Sequence, residues 1–159
     1  MILTAYTLFH VVLSLIGIGS GFVVLYGMLT SKSMSGWTAL FLATTMATSV
    51  TGFGFPVDHF MPSHAIGIIS LILLGLAIYA RYSHRLTGIW RPTYVIAAVA
   101  SQYFNVFVQA FLKVPALHAL APTQNEPPFA VAQLAALVAF LVLGTLAVRR
   151  FRPALPAAV

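Results

Sequence analysis

The sequence predicts an all-α integral membrane bundle of five transmembrane helices, with the N-terminus outside and the C-terminus in the cytoplasm. Three observations predict it. Of 159 residues, 60% are hydrophobic and 6% charged, and the mean hydropathy is +0.99. A soluble domain carries about 25% charged residues, so this chain lacks the polar side chains to cover a water-facing surface. Five apolar runs approach or exceed the roughly 20 residues that a spanning helix needs. The basic residues lie between or beside those runs, and five spans collect nearly all of them on one side.

The first run covers 5–29. It opens Met1-Ile2-Leu3-Thr4 with no basic segment. It also outlasts the roughly 7–15 apolar residues of a signal peptide, so it reads as a retained helix. The second run covers 37–57, the third 64–82, the fourth 93–114 and the fifth 129–148. The connections are short and no internal repeat is visible, so 1–159 reads as a single transmembrane domain. The last connection, 115–128, differs from the others. Pro115, Pro122, Pro127 and Pro128 break helix there, yet residues 116–121 are apolar. That pattern predicts a rigid cap folded over the outer helix ends.

Orientation follows from the cations. Lys32, Arg81, Arg85, Arg91, Arg149, Arg150 and Arg152 share one side, and only Lys113 falls on the other. Positive residues favour the cytoplasmic face, which points to a bacterial cytoplasmic (inner) membrane. Trp37, Tyr79, Tyr82, Trp90 and Tyr94 fall near that boundary, as an aromatic belt does. The net charge of +6 is therefore a topology signal, and nucleic acid is not an expected partner. The chain has no cysteine, which excludes disulfides, thiolate metal sites and covalently attached haem.

The remaining ionisable groups collect on the outer half: His10, Asp58, His59, His64, Lys113, His118 and Glu126. Such groups near hydrocarbon are costly and mark function by default. His10 lies within the apolar zone and needs a hydrogen-bond partner or a metal. His10, His64 and His118 come from three segments that can converge, with Asp58 and Glu126 as further ligands or as acceptors that orient imidazoles. His10 with His64 is the best axial pair for a b-type haem. A second feature is the stripe Gln102, Asn105, Gln109 and Lys113, which shares one side of the fourth helix. Together with His59 and Gln133 it would line a polar path and offer hydrogen bonds to an anionic or quinone-like group. Thr44, Thr45, Thr48 and Thr51 on the second helix, and Ser14 one turn from His10, add hydroxyls. Gly17 and Gly21 form a small-xxx-small pair that lets a neighbouring helix approach closely.

Three function classes fit these residues. The first is a metal- or haem-binding redox or electron-transfer protein holding haem b or iron, copper or zinc. The second is an oligomeric channel or small transporter that uses the fourth-helix stripe. The third is a non-catalytic accessory subunit of a larger membrane complex. Amides and hydroxyls also serve as plain interhelical glue. The metal reading is separated from the other two by elemental content, and the accessory reading by a co-purifying partner.

Overall fold

The computed structural model describes residues 2–56, 62–108 and 126–154. All regular structure among them is helical. We label the helices α1 (Ile2–Leu29), α2 (Ser35–Gly52), α3 (Pro62–Ile78), α4 (Trp90–Val108) and α5 (Pro127–Arg150). A five-residue π-helical turn, Tyr79–Ser83, extends α3. Asp58, His59, Gln109, Lys113 and His118 lie outside the described residues, as does most of the cap expected at 115–128.

Two helix limits differ from the sequence expectation for a physical reason. Pro127 and Pro128 form the first turn of α5 rather than ending the connection before it. Backbone N–H groups in a first turn have no intrahelical partner, so proline loses nothing there. Helix α2 ends at Gly52, short of the expected Val57, in a turn where Phe53 N–H donates to Val50 O and Gly54 N–H to Thr51 O.

Among the described residues, three helical stretches are long and apolar enough to cross a membrane: Leu3–Leu29, Ser63–Ser83 and Pro127–Arg150. Their flanks carry exposed large apolar side chains such as Leu8, Ile72, Leu134 and Leu141. Apolar exposure on this scale needs a lipid surround. Helices α2 and α4 are less apolar because threonines dilute α2 and Gln102 and Asn105 dilute α4. Those polar residues face inward: Thr44, Thr45, Gln102 and Asn105 are all buried. Helix α4 packs against α1, α3 and α5, while α2 packs against α1 and α3.

The apolar core occupies one half of the bundle. It joins Val24, Leu25 and Met28 of α1 to Phe41 and Leu42 of α2, Leu74 and Ala77 of α3, Tyr94 and Val95 of α4, and Ala147 of α5. The arginines gather beyond this half. Arg91 Nη1 donates to Val148 O (2.9 Å) and Phe151 O (2.6 Å), capping the last carbonyls of α5. Phe151 is buried against Tyr94. Arg152 N–H donates to Ser31 Oγ at 2.8 Å, and Ser31 holds a left-handed φ of 57°. Such a backbone costs about 1–2 kcal/mol in a non-glycine residue. Arg81 Nη2 reaches Ser33 Oγ and Ser35 Oγ, and its guanidinium lies 5.4 Å from the Tyr94 ring. His84 stacks on Trp90 with centroids 4.1 Å apart. The arginine-rich C-terminus is thus clasped to the α1–α2 connection through Ser31 and to the first turn of α4 through Arg91.

Candidate functional site: a polar seam between α1, α2 and α4

The other half of the bundle has a polar interior. On α1, His10, Ser14, Gly17 and Gly21 recur every three or four residues and so share one face. Helices α2 and α4 run antiparallel to it, so their residue numbers fall as those of α1 rise. His10 meets Thr51, Ser14 meets Asn105, Gly17 meets Thr45, and Gly21 meets Gln102. The seam from His10 to Gly21 covers about 16 Å of helix axis.

The glycines make this approach possible. A Cβ on Gly17 would lie 2.9 Å from Thr45 Oγ1 and 3.0 Å from Asn105 Nδ2, and a Cβ on Gly21 would collide with the Gln102 side chain. Gly19 points elsewhere and has open space around it. The small-residue surface expected on α1 therefore receives polar side chains of α2 and α4.

Some seam groups are satisfied. Ser14 Oγ donates to Asn105 Oδ1 at 2.9 Å, and Gln102 Nε2 donates to Ile18 O at 2.8 Å. Thr44, Thr48 and Thr51 donate to carbonyls of their own helix, as hydroxyls in helices commonly do. Others are not. Thr45 Oγ1, Asn105 Nδ2 and Gln102 Oε1 are buried and have no hydrogen-bond partner. They comprise a hydroxyl, a donor and an acceptor. A buried polar group left without a partner costs about 1–3 kcal/mol, and such groups call for a water, an ion or another guest.

His10 closes the seam at one end and is 7% exposed. Its Nδ1 lies 2.8 Å from Thr51 Oγ1. The Thr51 hydroxyl has a single proton, and its oxygen lies 2.7 Å from Ala47 O and 3.2 Å from Thr48 O. Pointing that proton at His10 would leave those oxygens facing one another with no hydrogen between them. The bonding network therefore assigns the proton to the carbonyls and makes His10 Nδ1–H the donor. In the neutral ring Nε2 then carries the lone pair. Tyr6 OH donates to Thr51 O beside it, and Phe55 meets the imidazole edge-on at 5.1 Å.

The structure brings His10, Asn105 and Gln102 to one seam. His64 lies at the same end of the bundle, stacked on Phe53 at 5.6 Å. Both histidines thus pack against phenylalanines of the turn that follows α2. Glu126 is the residue before α5, and its backbone carbonyl accepts from Phe129 and Ala130 N–H. Gln133 is exposed on α5. Among the described residues no three histidine, aspartate or glutamate side chains assemble as a metal centre. Thr45 was among the hydroxyls expected to line the interior, while Gly17 and Gly21, expected only to let a helix approach, joined the site unexpectedly. Their spacing signalled close packing, but not which polar atoms would press on them.

Beyond Gln102 the seam runs into a narrow crevice between Gly21, Leu25, Met28, Phe41 and Val99. Apart from the Gln102 amide its lining is apolar. Polar groups resume past it, where the buried Tyr94 hydroxyl lies near Arg81. The arrangement is a polar, hydrogen-bonding seam that ends at an apolar stretch. Comparison with known proteins finds no matching family model, no matching curated protein and no matching solved structure.

Proposed function

We propose that this chain crosses a bacterial cytoplasmic-type membrane five times, with its N-terminus outside, and serves as a small channel or transporter for neutral, hydrogen-bonding solutes. The solute enters at the His10 end and passes along the α1–α2–α4 seam when the helices part. One observation carries this reading: Thr45 Oγ1, Asn105 Nδ2 and Gln102 Oε1 are buried and unpartnered along one face of α1. No charged side chain lies among these atoms, which favours an uncharged guest. The apolar cleft below Gln102 acts as the gate, since apolar constrictions close by expelling water. Osmotic-shrinkage kinetics of proteoliposomes test this with urea and glycerol as probes. Solute entry above that of protein-free liposomes, lowered several-fold by Asn105→Leu, is expected. Rates equal to protein-free liposomes would overturn it.

A second reading is favoured by the His10 geometry. Ligating histidines bind a metal through one ring nitrogen while the other donates its N–H to a hydrogen-bond partner, and His10 Nδ1–H has such a partner in Thr51. His10 and His64, with His118, Asp58 and Glu126, would then hold haem b or an iron, copper or zinc ion for electron transfer, with a quinone-like partner at Asn105, Gln109 and Lys113. Elemental mass spectrometry of the detergent-purified protein tests this. About one metal equivalent per chain, reduced by His10→Ala, supports it, and metal-free folded protein ends it.

A further inference from the structure

The arginine end carries an inference independent of the seam. Its cations fall into two groups. Arg91 and Arg81 are engaged within the fold, Arg91 on carbonyls of the α5 terminus and Arg81 on Ser33, Ser35 and the Tyr94 ring. Arg85 is exposed in the α3–α4 connection, and Lys32, Arg149, Arg150 and Arg152 are exposed at the ends of α1 and α5. The last four come from chain segments more than a hundred residues apart, yet the fold holds them together. The Arg152 N–H bond to Ser31 Oγ sets the α5 terminus beside Lys32, and the Arg91 bonds with buried Phe151 fix that terminus in place.

No carboxylate balances them at this end among the described residues. Of the two acids in the chain, Glu126 opens α5, a whole helix away, and Asp58 falls in the connection between α2 and α3. Exposed aromatic residues surround the same end: Tyr26, Trp37, Tyr79 and Tyr82. Aromatic rings of this kind sit at headgroup depth. A rigid, uncompensated cation cluster at that depth matches the phosphates of anionic lipids.

We propose that Lys32, Arg149, Arg150 and Arg152, held by the Arg91–Phe151–Ser31 clasp, form a binding site for the phosphate headgroups of anionic phospholipids. Arg91 is a positioning residue for this site. The test is native mass spectrometry of the full chain with phosphatidylglycerol, cardiolipin or phosphatidylcholine added, and with inorganic phosphate as competitor. Anionic lipid should be retained in preference to phosphatidylcholine, and retention should weaken at high salt. A surface cation contributes about fivefold. The triple variant Arg149→Gln, Arg150→Gln, Arg152→Gln should therefore weaken retention by about a hundredfold, whereas the triple lysine variant should keep it. Arg91→Gln should weaken it with every exposed charge still present. Equal retention of phosphatidylcholine by the wild-type chain would overturn the proposal, whatever the fate of the variants. So would unchanged retention in the glutamine variant. Displacement by millimolar phosphate would assign the site to a free anion instead and would also overturn it.

Discussion

Helix α1 has two halves that face different interiors. From Val24 to Met28 it packs on Phe41, Leu42 and Tyr94 in a closed apolar core. From His10 to Gly21 it faces threonines and amides, and three of their polar atoms lack partners. Both halves are tightly apposed, yet only one is chemically complete. The apolar half reads as built for stability. The polar half carries buried groups left without partners, each costing about 1–3 kcal/mol, and it is these that the proposed solute path uses.

Five substitutions would break or sharpen that contrast. Phe41→Ala empties the apolar half and should destabilise by about 3–5 kcal/mol, read as a lower unfolding midpoint in mild detergent. Gly21→Ala drives a methyl into Gln102 and should cost about 1–3 kcal/mol. Gly19→Ala, on the same helix with open space around it, should leave stability within about 0.5 kcal/mol of the parent. Equal effects at the two glycines would contradict the seam. Arg91→Gln strips the charged cap from Val148 O and Phe151 O and should cost about 1.5–3 kcal/mol, with faster proteolysis of the C-terminus as a second readout. Thr45→Val removes an unpartnered hydroxyl and keeps its shape. It should be neutral or stabilising by up to about 1 kcal/mol while slowing solute entry into proteoliposomes. A clear loss of stability would show that the hydroxyl has a structural partner.

Much of this was legible in the sequence. Hydropathy alone marks five helices, because apolar runs of this length leave no other structure. The three-to-four residue spacing of His10, Ser14, Gly17 and Gly21, and of Gln102 and Asn105, already places each set on one helix face. Local pattern could not say which faces meet. The pairs Ser14–Asn105 and Gln102–Ile18 span 91 and 84 residues, and periodicity carries no information about partners so far apart. Arg91 and Phe151 carry the same lesson. An arginine near a helix start and a phenylalanine among arginines look interfacial until the α5 terminus folds onto α4. Threonines that bond to their own helix and one that does not, Thr45, are identical in sequence.

The central claim is that the polar half of the bundle admits a guest from water and the apolar half does not. Solid-state NMR of the full chain in lipid bilayers, measuring magnetisation transfer from water to side chains, tests it most directly. The account predicts strong transfer to the Asn105 and Gln102 amides and none to Phe41 or Met28. Dry amides at both positions, in protein that is folded and fully hydrated at its ends, would contradict it and leave the seam as packing alone.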